Sequence, residues 1–513
     1  MFLSTLLLVL PALADVSADN LQDQYKCVGT FIFGRHNDRV AKPAVVLTNL
    51  GAQEQVESGT FYRGRYFGLN DTSSSDFVIE GLNDQGVFVY GETYSQCPSD
   101  TVIEYSQLSF LQGLYPPTTD TESNKTLSNS MDSGLSNGTE VTAPFNGYQY
   151  VFMDVQGETS DDYYHIKGDV NCPSSDAAIQ DWEDGDYFKS MNESTLDFYQ
   201  SLSEILPAKK FPLSTLNFGN AMNIFDFMNV NFIHNEELAK EYNETLLHKV
   251  ALLADQAQWG ISYDKSEPLS NFTIGGRAVL GAVYSYLNTT KVVGSPYINY
   301  FTGSFNNMYQ IDSLLQLNEL SDNFTGMPDY GATYVWDLLQ DSAGDYYVMF
   351  SFKNGTKDDD VLVTYPTFGT GKTVLTWSEF EDSITKVGIS ELGDWCNACE
   401  SQMPQCNQYS SAYKYGLELE DQGIDLASLA NGKSHVQTSS LSNAAAGGIG
   451  AGVTIGVFLI GGLLVYLLHR RVKKVQGRPL ADENANAPIE LGENESQVGS
   501  SLGTVRGSEG EKV

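Results

Sequence analysis

The stretch Phe31-Ile32-Phe33-Gly34-Arg35-His36-Asn37-Asp38-Arg39 sets the expectation for the whole chain. With Val28 upstream, its apolar opening reads as a short buried strand. A histidine follows, flanked by two permanent guanidinium groups, Arg35 and Arg39. Such a histidine can bind a phosphate and attack its phosphorus, since planar guanidiniums offer several donors to a tetrahedral oxyanion. Ligands of α/β sheets bind beyond the carboxyl ends of strands, which is where this loop would stand.

Outward from the loop, charge narrows the partners. The net charge is −36, and the segment after His469 carries seven basic and seven acidic residues, so the deficit lies in the preceding residues. Nucleic acid is an unsuitable partner for such a chain, and any phosphate site must be a local basic pocket. The same deficit suits work in acid, where some carboxylates are neutral.

At the start, Phe2 to Leu10 is apolar but too short to span a bilayer, and Ala12-Leu13-Ala14 offers small residues for cleavage, so a signal peptide over 1–14 is expected. Residues 444–468 hold no charge and are followed by His469-Arg470-Arg471-Val472-Lys473-Lys474. An apolar helix of about 20 residues crosses a bilayer, and its basic flank stays in the cytosol. A single-pass type I protein results, with its N-terminus at the cell surface or in a vacuolar-endosomal lumen. Gly448, Gly452 and Gly456 put a small-residue face on that helix and permit a homodimer.

Nine glycosylation sequons precede the apolar segment, at Asn70, Asn124, Asn137, Asn192, Asn243, Asn271, Asn288, Asn323 and Asn354; only Asn494 lies beyond it. Their distribution agrees with a glycosylated exterior. All six cysteines, Cys27, Cys97, Cys172, Cys396, Cys399 and Cys406, are on that side, so three disulfides are expected, with the pairing left open. Cys396 and Cys399 lack the second Cys or His pair that zinc would need, and no metal site or dinucleotide loop is visible.

Residues 15–429 read as an α/β ectodomain. Strands are expected over 28–33, 87–90, 148–155, 297–302, 346–352 and 361–365, with Asn354-Gly355 turning between the last two. Val56, Thr60, Arg63 and Phe67 share one helix face, and Leu238, Tyr242, Leu246, Val250, Leu253 and Ala257 form a longer stripe. The span from about 175 to 260 is helix-rich, as a cap would be. Residues 118–142 form a polar loop, 430–443 a polar stalk and 469–513 a disordered cytoplasmic tail.

Three elements occur together: Gly34-Arg35-His36-Asn37-Asp38-Arg39 with Lys42-Pro43, then Leu47-Thr48-Asn49-Leu50-Gly51, then Phe61-Tyr62-Arg63-Gly64-Arg65-Tyr66. In this order and spacing they resemble the opening of the histidine acid phosphatases, the acid phosphatase and phytase branch of the histidine phosphatase superfamily. Gly168-Asp169-Val170-Asn171-Cys172-Pro173 and Gly275-Gly276-Arg277-Ala278-Val279-Leu280 are similar to weaker landmarks. The style is that of divergent fungal membrane-anchored members. The resemblance implies a phosphoglycerate mutase-like core sheet flanked by helices, with a helix-rich cap insertion and, here, one C-terminal transmembrane helix. It further implies hydrolysis of a phosphomonoester or capture of another small anion, with His36 as nucleophile, Arg35 and Arg39 as phosphate clamps, and no cofactor.

Departures from the pattern sit at the chemistry. Asn37 stands in place of a glycine. A third clamping arginine would fall at Tyr90, and Ser304 and Phe305 would take the positions of a second histidine and the proton-donating aspartate. General acid catalysis is typically worth about 10²–10⁴-fold. The expectation is therefore phosphomonoester binding with weak hydrolysis through a phosphohistidine, the alternative being a degenerate pseudophosphatase with a binding or structural role. Substitutes for the acid could be sought in His165, His234, His248 or Asp312, although each reads more simply as a surface or helix-face residue. Asp38 reads as a turn or ion-pair residue.

Overall fold

A computed structural model describes residue 21 and residues 23–69, 77–83, 85–118, 134–357 and 360–421 of the chain. The expected signal peptide, stalk, membrane segment with its three glycines, tail, and Asn70 and Asn124 lie outside the described residues. Among the described residues, no helix is long and apolar enough to cross a membrane.

One mixed sheet organises the described chain. Its strands are β1 (Tyr25–Arg35), β2 (Thr93–Pro98), β3 (Asp154–Gln156), β4 (Ile298–Gly303), β5 (Thr333–Asp341), β6 (Tyr346–Lys353), β7 (Val363–Thr364) and β8 (Val374–Thr376). The order is β3-β2-β4-β1-β5-β6-β7, and β8 also pairs with β6. The first four are mutually parallel, whereas β5 and β6 run antiparallel to their neighbours. β1 and β4 read as near-continuous apolar runs because both faces of the central sheet are covered.

On one face lie α1 (Asn49–Phe67) and α2 (Thr101–Leu114), whose Tyr62, Tyr66, Phe110 and Leu114 pack on Ile298, Tyr300 and Val335. Thr48 starts α1 by accepting the Gly51 amide at 3.1 Å, and Gly68 ends it in a left-handed conformation with φ 69°. The two helices approach backbone to backbone: a Cβ at Gly59 would stand 2.0 Å from the Phe110 carbonyl, and one at Gly113 2.1 Å from that of Val56. This crossing corrects the expected face of α1. Gln55, Ser58, Gly59, Tyr62 and Tyr66 are buried, while Thr60 is exposed.

A chain of helices follows: α3 (Tyr164–Lys167), α4 (Pro173–Glu183), α5 (Asp186–Ser201), α6 (Ala221–His234), α7 (Glu236–Glu241) and α8 (Glu244–Gly260). Those from α5 to α8 share an apolar cluster of their own, including Tyr199, Phe218, Ile224, Met228 and Val250. The stripe expected as one helix is two. Asn243 breaks it by accepting the Leu246 amide at 2.7 Å, which caps α8, yet Tyr242 and Val250 still meet in one cluster. The opposite sheet face is covered by α9 (Ile274–Val293), α10 (Phe305–Leu314) and α11 (Trp377–Val387), followed by α12 (Leu392–Cys399).

Three strand expectations change, and a central strand is added. Residues 87–90 are not a strand; the strand begins at Thr93. Side chains replace the ladder there: Asn83 donates to the Val87 carbonyl at 3.0 Å, and Gln149 accepts the Phe88 amide at 2.7 Å. Of the expected 148–155 strand only Asp154 and Val155 form one, within β3, partly because Gln149 is drawn away to Phe88 and to the Pro116 carbonyl. Only Val363–Thr364 of 361–365 pairs with β6. β5, unforeseen, is central and pairs along nearly all of β1.

The cysteine expectation is also corrected. Cys172 bonds Cys399 and Cys396 bonds Cys406, while Cys27 and Cys97 are free and buried. Cys97 is one residue past Gln96, which is level with Phe301 and hence with Phe33; Cys27 is six residues back along β1, with β4 between the two strands. At about 3.3 Å per residue and about 4.8 Å per strand spacing they are roughly 25 Å apart, far outside bridging distance. Denaturing the unreduced protein should accordingly release two titratable thiols, and a count of zero by thiol titration would contradict this arrangement.

Candidate functional site

The sheet brings the Arg35–Arg39 loop and the turn after β4 together. Arg35 pairs with Gly303 in the parallel register, and the His36 amide donates to the Gly303 carbonyl at 3.0 Å. Ser304 and Phe305 follow at once, Ser304 as the N-cap of α10. The amino end of this helix, with unpaired amides and the positive end of its dipole, thus opens beside the histidine.

Each member of the loop is buried. The Arg35 guanidinium lies 4.4 Å from the centre of the Tyr330 ring and 5.2 Å from that of Phe305, and donates to the Pro328 carbonyl. Its Nε is buried without a hydrogen-bond partner. An orphaned guanidinium donor is what an incoming oxyanion would satisfy. Burial is the main reason its proton affinity falls below that of ordinary arginine.

His36 is 6% exposed, and its Nδ1 lies 3.0 Å from the Asn37 carbonyl. A carbonyl only accepts, so Nδ1 carries the proton and Nε2 keeps its lone pair. Burial first, and then the charges of Arg35 and Arg39, hold the imidazole well below the usual histidine range, with Lys167 adding a smaller push. The ring stays neutral in mild acid, as a nucleophile must. Asn37 does not adopt a left-handed backbone; its amide donates to the Ser106 hydroxyl at 3.0 Å and its side chain accepts the Asp38 amide at 2.6 Å.

Arg39 is not an open clamp. Its Nη2 donates to Asp226 Oδ1 at 2.5 Å in a buried ion pair. Burial is the largest single influence and would weaken its hold on the proton, but Asp226, Tyr330 and Asp38 together outweigh burial and raise it. Helix α6, which carries Asp226, grips the loop twice more: His234 Nε2 lies 2.7 Å from Asp38 Oδ2, and Asn223 accepts from Lys42 at 3.0 Å. Asp38 also accepts from the Thr48 hydroxyl, so the structure records it as a hydrogen-bonding anchor of the loop. A cleft of about 100 Å³ remains, lined by Arg35, Asp226, Phe305, Pro328, Asp329 and Tyr330 among others.

The remaining sequence candidates separate. Tyr90 is 72% exposed and bridges Thr93, which is level with Ile298 and Thr30 at the amino end of the strands. It therefore lies at the opposite end of the sheet from His36, and the position assigned to a lost third clamp is corrected: Pro98 and Ser99 close the carboxyl end of β2. There Asp100, just before α2, pairs with buried Lys167, the cation whose charge reaches His36. Asp312 is buried and accepts from the Tyr334 hydroxyl, and His248 is exposed on α8. His165 is buried in a separate cavity. Of the four substitutes considered, only His234 reaches the loop. The two landmark segments do meet, Gly168 packing against Gly275 and Ala278.

Sequence reading missed Asp226, Pro328, Asp329, Tyr330 and Lys167. Asp226 left a signal: a lone acid inside the apolar run of α6, Ala221-Met222-Asn223-Ile224-Phe225-Asp226-Phe227-Met228, is a buried charge in need of a partner. Among the described residues, no group of three or more metal-binding side chains occurs.

No family model and no curated protein sequence matches the chain. Solved structures do. A phytase from Citrobacter braakii aligns at 12% identity with a TM-score of 0.48, covering 72% of this chain and 99% of its own. The apo form of Hafnia alvei phytase aligns at 12% identity with a TM-score of 0.47, covering 73% and 98%. The multiple inositol polyphosphate phosphatase of Bifidobacterium longum, in complex with inositol hexasulfate, aligns at 12% identity with a TM-score of 0.42, covering 71% and 93%.

Proposed function

We propose that this chain is a membrane-anchored, histidine acid phosphatase-like glycoprotein that binds phosphomonoesters at the Arg35–Arg39 loop and hydrolyses them weakly. One observation carries the reading: a neutral His36, with its Nε2 lone pair free, stands beside Arg35, whose Nε lacks a partner, at the carboxyl edge of the sheet. In the reaction Nε2 forms the bond to phosphorus as the ester oxygen departs with the bonding pair. Water then cleaves the phosphohistidine and regenerates the imidazole. Arg35 and the amino end of α10 stabilise the equatorial oxygens.

With Phe305 lining the cleft, the departing oxygen receives no proton from that position, so esters of acidic alcohols are favoured. A type I topology, and display at the cell surface or in a vacuolar-endosomal lumen, belong to the same proposal and are supported by the sequence features at either end. A second reading, a degenerate binding protein, is favoured by the ion pair that already occupies Arg39.

Purified ectodomain assayed between about pH 3 and 7 should turn over p-nitrophenyl phosphate far faster than glycerol phosphate, and His36→Ala should abolish both. Absence of turnover, with vanadate binding that Arg35→Ala removes, would establish the second reading. Neither turnover nor vanadate binding would overturn both.

A further inference from the structure

A cavity of about 450 Å³ lies away from the His36 loop, between α3, the middle of α9 and the start of α12. This is in the range of small-molecule sites, roughly 300–1,000 Å³. Its character is opposite to that of the phosphate cleft. Asp161, Asp162 and Glu391 line it together with Tyr286 and Tyr409, and no lysine or arginine does.

The carboxylates are not absorbed by the fold. Glu391 is the N-cap residue of α12 but makes no side-chain capping bond. Asp162 is held through its backbone, whose carbonyl accepts from Gln96 at 3.2 Å, leaving its half-exposed side chain free. His165 lines the same cavity. It is 7% exposed, and its ring lies between those of Tyr164 at 4.4 Å and Tyr286 at 6.3 Å. Its Nδ1 is buried without a hydrogen-bond partner, and Asp162 Oδ1 is 4.0 Å away, too far to supply one. Burial lowers this histidine to about 4, so the ring is neutral and adds no charge that would repel a cation.

Unpaired carboxylates, tyrosine faces and an orphaned neutral imidazole are the recognition chemistry of an alkylammonium. We propose that this cavity binds a small organic diamine, one ammonium between Asp162 and Glu391 and the alkyl chain against Tyr286. The inference does not rest on the phosphatase reading.

Calorimetric titration of the ectodomain with putrescine tests it, with 1,4-butanediol as the uncharged isostere. Saturable binding of putrescine, none of the diol, and weakening by at least about tenfold in Asp162→Asn and in Glu391→Gln are expected. Because the whole exterior is acidic, Glu237→Gln with Glu241→Gln, both exposed on or beside α7, serves as the control and should leave the affinity unchanged. Putrescine binding lost equally in the control, equal binding of the diol, or no saturable binding would overturn the proposal.

Discussion

Replacing Ser304 by histidine and Phe305 by aspartate together is expected to raise turnover of glycerol phosphate by about 10²–10⁴-fold, the usual worth of a general acid. The placement argues for it. Gly303 pairs with Arg35, the His36 amide bonds to its carbonyl, and residue 305 begins the helix that opens on the cleft. A carboxyl group there would line the same cleft as Arg35, next to the histidine loop.

Two effects oppose the gain. The Arg35 guanidinium, now over the Phe305 ring at 5.2 Å, would hold a new aspartate ionised, so the increase should be largest toward acid pH. Removing a buried phenylalanine also costs about 3–5 kcal/mol of stability, so turnover must be scored per folded molecule by following thermal unfolding alongside. Activated p-nitrophenyl phosphate, which needs no proton, should gain much less. A folded double variant with unchanged turnover of both esters would refute the assignment of position 305.

Asp337→Ala is expected to destabilise the protein by about 3–5 kcal/mol, the cost of stranding one member of a buried ion pair. Asp337 is fully buried on β5 and accepts Arg65 Nη2 at 2.7 Å and the Tyr66 hydroxyl at 2.7 Å. The Arg65 guanidinium, mostly buried and lying 4.1 Å from the centre of the Phe77 ring, would be left with its charge and no counter-ion. Burial, the largest single influence, disfavours that charge, and Asp337 and Tyr66 together overcome the penalty, raising the proton affinity of Arg65 above its ordinary value. Urea unfolding of Asp337→Ala against Arg65→Met/Asp337→Leu separates the terms. The apolar pair should recover most of the loss, whereas a single variant as stable as the parent would show that the pair contributes nothing.

This ion pair also shows where sequence reading ends. Arg65 was visible inside the Phe61–Tyr66 run, but its partner comes from a strand 272 residues later. The core strands β1 and β4 were legible because both faces are buried and aromatic and aliphatic residues dominate them, as in Phe31-Ile32-Phe33 and Tyr300-Phe301. The segment 87–90 looked just as strand-like, and the side chains of Asn83 and the distant Gln149 explain why it is not. The loop chemistry was local and readable, as was the turn at Ser304 and Phe305. What could not be read was occupancy: that Asp226 meets Arg39, that Tyr330 covers Arg35, and that Tyr90 belongs to the other end of the sheet.

Helix α6 holds the histidine loop at three points, through Asn223, Asp226 and His234. Any anion that captures Arg39 must first evict a carboxylate rooted in that helix. Anion affinity at Arg39 is therefore set by competition with Asp226, a side chain that α6 supplies while Asn223 and His234 keep their own holds on Lys42 and Asp38.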